Sequence, residues 1–68
     1  MRLETRLREF RQAKGLDQAA LAALVGVRRE TIGRLEKAQY NPSLKLAMDL
    51  ARVFEVPVET LFAFREEE

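Results

Sequence analysis

A small all-α fold is what this sequence predicts, and three observations predict it. Apolar residues recur at helical spacing in successive short segments. The residues between those segments are ones that stop or start helices: Gly15, Asp17, Gly26 and Ser43. The chain has 68 residues with no cysteine and no histidine, so disulfides and Cys/His zinc sites are not available to staple it. A chain of this length buries only about 60% of its unfolded surface, and oligomerisation is the support left open.

The elements follow in order. Leu3, Leu7, Phe10 and Lys14 fall near one stripe, which predicts a first helix over residues 4–14. Gly15 supplies a left-handed stop. Asp17 caps a second helix over residues 18–25, its carboxylate accepting orphan N–H groups. There Leu21, Leu24 and Val25 can face a core, and Ala19, Ala20, Ala22 and Ala23 permit close approach of another helix. Gly26 ends this helix after two turns, too short to persist without neighbours. A third helix is predicted over residues 29–37, with Ile32 and Leu35 inward and Arg29, Glu30, Gly33, Arg34 and Lys37 outward. Arg28 is a poor N-cap, and Gly33 costs about 1 kcal/mol against Ala in mid-helix. Such local conflict is common at functional surfaces. Residues 38–42 read as a loop. Ser43 caps a fourth helix over residues 44–54, with Leu44, Ala47, Met48, Ala51 and Phe54 as its buried stripe. Pro57 opens a last helical turn over residues 58–62, and the period-2 pattern through Phe64 allows a short strand. Residues 1–68 read as a single domain, with no repeat and no linker.

Composition excludes several function classes. Catalysis has little to work with: no histidine, no cysteine, and one serine, Ser43, without a base to activate it. No catalytic residue, cofactor or metal ligand is assigned. Glu66, Glu67 and Glu68 read as a solvated tail rather than a metal site. The longest apolar run, residues 19–27, is shorter than the roughly 20 residues a bilayer span needs. The opening residues hold no apolar signal-type run. A cytoplasmic protein without a membrane partner is expected.

The net charge is +1, but it is unevenly placed. Residues 1–40 hold nine Lys/Arg and five Asp/Glu, a balance of +4; residues 41–68 hold three and six, a balance of −3. A basic and an acidic half suit a face that meets phosphate. A solvated surface with chance segregation gives the same numbers.

Two short helices joined by a glycine-bearing turn form a helix-turn-helix, here residues 18–37. The second helix of that motif enters the major groove of duplex DNA by its N-terminal end. Arg29 and Arg34 can pair bidentately with guanine O6 and N7, and Glu30 can accept from the cytosine amino group. Arg28 and Lys37, at the two helix ends, suit phosphate. Gln18 sits where free N–H groups and the helix dipole already favour an anion. Taken singly, Glu30 and Arg34 could be an i,i+4 surface pair worth about 0.3–0.5 kcal/mol, and Gln18 a simple helix former. Their joint register favours the DNA reading.

The pieces K-G-L-D-Q at 14–18, L-A at 21–22, G-V at 26–27, T-I at 31–32, L-E at 35–36 and N-P-S-L at 41–44 together resemble the lambda-repressor-like, Cro/C1-type (XRE) helix-turn-helix family. The likeness runs from Leu7 to Phe62. It implies a five-helix all-α fold and operator binding by a homodimer, as a transcription regulator of repressor type. Arg29, Glu30 and Arg34 would read bases, and Gln18, Arg28, Lys37, Gln39 and Tyr40 would hold phosphates. Arg11 and Glu36 would form a structural ion pair. Two departures stand out. Arg28 occupies a place where the family commonly has Ser or Thr, and Gly33 one where Ser or Asn is frequent. The end of the chain resembles the small regulators similar to the cytolysin-operon repressor, where a strand after the last helix helps build the dimer. Leu61, Phe62 and Phe64, within a dimerisation segment at about 58–66, would serve that role. The alternative is that Phe62 fills the core and Phe64 frays. The same fold also serves antitoxins, which bind a protein toxin and regulate their own operon.

Overall fold

The computed structural model describes residues 1–66; the reading of residues 67 and 68 as solvated tail lies outside them. Five helices and a two-stranded ribbon follow in the order β1 (Arg2–Thr5), α1 (Leu7–Ala13), α2 (Gln18–Val25), α3 (Arg29–Glu36), α4 (Leu44–Phe54), α5 (Val58–Leu61) and β2 (Phe62–Arg65). One core holds them together. Leu7, Leu21, Ile32, Leu35, Leu50 and Leu61 are fully buried in it, so each of the five helices gives it at least one leucine or isoleucine.

The first helix starts later than its stripe suggested. Residues 2–5 are a strand, antiparallel to β2 in the register Arg2↔Arg65, Leu3↔Phe64, Glu4↔Ala63 and Thr5↔Phe62. The Leu3–Leu7 spacing fits one helical turn, but Leu3 is buried from the strand instead. Alternate strand residues share a face, so Leu3, Thr5, Phe62 and Phe64 look one way and Arg2, Glu4, Ala63 and Arg65 the other. Glu4 and Arg65 pair across the ribbon at 2.7 Å. Two bonds fix the switch from strand to helix: the Leu7 N–H donates to Thr5 Oγ1 at 3.1 Å, and the Arg6 N–H donates to the Leu61 carbonyl at 2.8 Å.

The caps sit where the side chains dictate. Asp17 Oδ1 accepts from the Ala20 N–H at 2.7 Å, and Ser43 Oγ from the Leu46 N–H at 3.1 Å. Arg28 makes no side-chain cap bond. Gly26 ends α2 at φ 73°, and the Val27 N–H closes onto the Ala22 carbonyl at 3.0 Å. This tight stop turns the chain from α2 into α3. Ala38 and Glu55 adopt the same left-handed conformation without being glycine, at φ 57° and 56°.

Two helices bury different faces from those predicted. In α4 the core side chains are Leu46, Ala47, Leu50 and Ala51; Leu44 is 74% exposed and Met48 41%. Apolar residues occur on more than one face of this helix, so spacing alone does not phase it. In α2 the buried residues are Leu21 and Ala22, while Leu24 lies in solvent. Ala22, a small side chain, is buried with Leu21, and α2 packs against both α3 and α4.

Candidate nucleic-acid interface

The α3 helix has two distinct sides. Ile32 and Leu35 are fully buried, whereas Arg29, Glu30 and Arg34 are exposed, as are Arg28, Lys37, Gln39 and Tyr40 at the ends of the element. Gln18, half-buried at the start of α2, joins Arg29, Glu30, Gly33, Arg34, Lys37 and Gln39 in lining one shallow open groove. The structure thus brings the base-reading candidates onto a single surface, beside most of the phosphate candidates. Gly33 lies in the groove floor. A Cβ there would meet the Gln18 amide at 3.7 and 3.8 Å, an ordinary contact.

Pairing of charges separates this surface from the rest. Arg2, Arg6, Arg8, Arg11, Arg52 and Arg65 each face a carboxylate within salt-bridge distance. Arg28, Arg29 and Arg34 face none among the described residues, and all three belong to α3 or its cap. Glu30 and Arg34 do not pair across their helical turn. No carboxylate among the described residues balances these three arginines, and apart from one long bond from Arg29 to Gln18 their donors face outward.

Behind the groove a buried carboxylate fixes the helix. The Glu36 side chain has no solvent exposure, and Arg11 reaches it from α1 through Nε at 2.6 Å to Oε2 and Nη2 at 3.2 Å to Oε1. Arg11 Nη1 also donates to the Leu16 carbonyl at 2.9 Å. Burial pushes the Glu36 carboxyl up. Hydrogen bonds from Arg11, Gln18 and Arg8, with the Arg11 charge, outweigh this and hold it below its ordinary value. The bond to Glu36 raises Arg11 in turn, against its own desolvation and with help from the charges of Glu36 and Asp17.

Three links were not legible in the sequence. Gln18 Nε2 donates to Glu36 Oε1 at 3.2 Å, and Gln18 Oε1 accepts from Arg29 Nη1 at 3.5 Å. Arg8 Nε also donates to Glu36 Oε1, at 3.3 Å. The Arg8 contact spans 28 residues and leaves no local pattern to find. At the other end of the chain, Leu61 and Phe62, expected at a dimer contact, are 1% and 8% exposed within one chain. Of that trio only Phe64, 52% exposed, offers apolar surface.

A family model described as helix-turn-helix matches residues 7–61. The chain belongs to the Cro/C1-type helix-turn-helix family. Relatives include an uncharacterised HTH-type transcriptional regulator of Archaeoglobus fulgidus, 58% identical over 97% of this chain and 94% of its own. Another, from Methanocaldococcus jannaschii, is 39% identical over 97% of this chain and all of its own. Among solved structures, the restriction-modification controller protein C.AhdI from Aeromonas hydrophila superposes with a TM-score of 0.73 at 42% identity. That likeness covers 79% of this chain and 82% of the other. The clp gene regulator ClgR of C. glutamicum superposes with a TM-score of 0.70 at 26% identity, over 79% and 70%. This Cro/C1-type protein is a DNA-binding transcription regulator. No helix among its described residues is long and apolar enough to cross a membrane.

Proposed function

We propose that this Cro/C1-type protein is a homodimeric repressor that lays α3 in the major groove of a palindromic operator. The unpaired arginines of α3 carry this reading, because every other arginine already has a carboxylate. Arg29, Glu30 and Arg34 read base edges. Gln18, Arg28, Lys37, Gln39 and Tyr40 hold the backbone, with Gln18 also steadying Arg29 from behind. A bidentate Arg–guanine pair discriminates by about 1–3 kcal/mol.

One α3 reads too few base pairs to find one site in a genome, so a second copy doubles the reading. The ribbon supports that pairing. Each of its two strands has one strand neighbour, which leaves both outer edges open, and Phe64 stands exposed on β2. Leu61 and Phe62 act from inside, by holding β2 in place. The test is selection of bound duplexes from a random pool. Two inverted half-sites with centres about 10–10.5 base pairs apart are expected. A single asymmetric half-site would contradict the dimeric reading.

A further inference from the structure

One oxygen of the Glu36 carboxylate is offered more donors than it has lone pairs. Oε2 accepts Arg11 Nε at 2.6 Å. Oε1 faces three donors: Arg11 Nη2 at 3.2 Å, Gln18 Nε2 at 3.2 Å and Arg8 Nε at 3.3 Å. A carboxylate oxygen has two lone pairs, so one of the three is surplus. Arg8 is that one. Its bond is the longest, it uses Nε alone among the described residues, and its side chain is 55% exposed against 11% for Arg11. Arg11 and Gln18 satisfy Glu36 without it. Moreover, Arg8 and Gln18 donate to the same oxygen. Arg8 therefore stands beside the side chain that borders the α3 groove and touches Arg29.

We infer that Arg8 is a phosphate-binding residue of the DNA interface, contributed by α1 from outside the helix-turn-helix unit. In the free protein it rests on Glu36. On DNA a backbone phosphate takes its two terminal nitrogens as a bidentate pair, while Arg11 and Gln18 keep the carboxylate satisfied. A phosphate beside Gln18 would thus be gripped from two helices. The inference rests on the reading of the α3 face as the DNA interface.

Salt dependence tests it, because each neutralised phosphate adds about 0.9 to the slope of log affinity against log salt. The wild type, Arg8→Gln, Arg8→Lys and Arg28→Gln are titrated with the duplex the wild type selects and with a scrambled duplex. Arg8→Gln removes one contact from each half-site, so it should flatten the slope by about 1.8, and the affinity lost between 50 and 200 mM salt falls by about twelvefold. Base preference and thermal midpoint should stay at wild-type values, and Arg8→Lys should keep the wild-type slope. If Arg28→Gln flattens the slope and Arg8→Gln does not, the Arg8 assignment falls and the α3 interface stands. If neither changes it, the interface reading falls with it. A lower thermal midpoint for Arg8→Gln at an unchanged slope would make Arg8 only a prop for Glu36.

Discussion

A carboxylate shut away from water survives as an anion only if donors replace its hydration. For Glu36 those donors come from α1 and α2, so one side chain ties the reading helix to both helices that position it. Removing one partner of such a pair strands the other, at a cost of about 3–5 kcal/mol. That is a large share of the roughly 3–10 kcal/mol available to a chain of this length. The depressed carboxyl also links stability to pH. Its folded value lies below the unfolded one of about 4.3. Its contribution is therefore complete above that pH and lost as pH falls through the lower, folded value. Urea midpoints measured from pH 7 down to pH 2 should drop steeply below about pH 4 for the wild type. Glu36→Gln should start lower at pH 7 and lose part of that drop. An unchanged pH profile for the variant would show that Glu36 is not the group responsible.

Helix boundaries and strand pairing are where local and tertiary preferences meet. Gly26 answers the left-handed stop of α2 with the right residue; Glu55 answers that of α4 with the wrong one, at φ 56°. The Glu55 carboxylate also lies at a helix C-terminus, where the dipole favours a cation. Glu55→Gly should raise stability by about 1 kcal/mol, read as a higher denaturant midpoint at constant m-value. A lower midpoint would contradict this account of the cap. Signals confined to a few residues, such as the Asp17 and Ser43 caps and the Gly26 turn, were fully legible in the sequence. The α4 face was not, since Leu44 and Met48 satisfy the helical spacing as well as Leu46 and Leu50 do. Nor was β1. Leu3 and Leu7 fit one helical turn, and only the partner strand some 60 residues away decides between strand and helix. The Arg11–Glu36 pair came from family resemblance. The Gln18 and Arg8 contacts to the same carboxylate had no such guide.

At the scale of the whole molecule, charge and topology point the same way. The basic half of the chain contains the entire helix-turn-helix, and the acidic half closes the fold behind it. The ribbon joins the two ends of the chain, so a partner copy docked there would be tied to the core through Leu3 and Phe62. Phe64→Glu should leave the monomer folded and shift the molecular mass in solution from dimer to monomer. Its operator affinity should fall because the two half-sites are no longer read together. A variant that stays dimeric would move the contact elsewhere. Whether the α3 arginines read sequence is decided by Arg29→Ala. Its affinities for a panel of single-base operator variants are measured beside those of the wild type. A loss of about 1–3 kcal/mol per half-site is expected, about 2–6 kcal/mol on the whole operator, with preference relaxed at one base pair in each half-site. A variant that binds every duplex more weakly by one common factor, with base preference intact, would contradict the base-reading role.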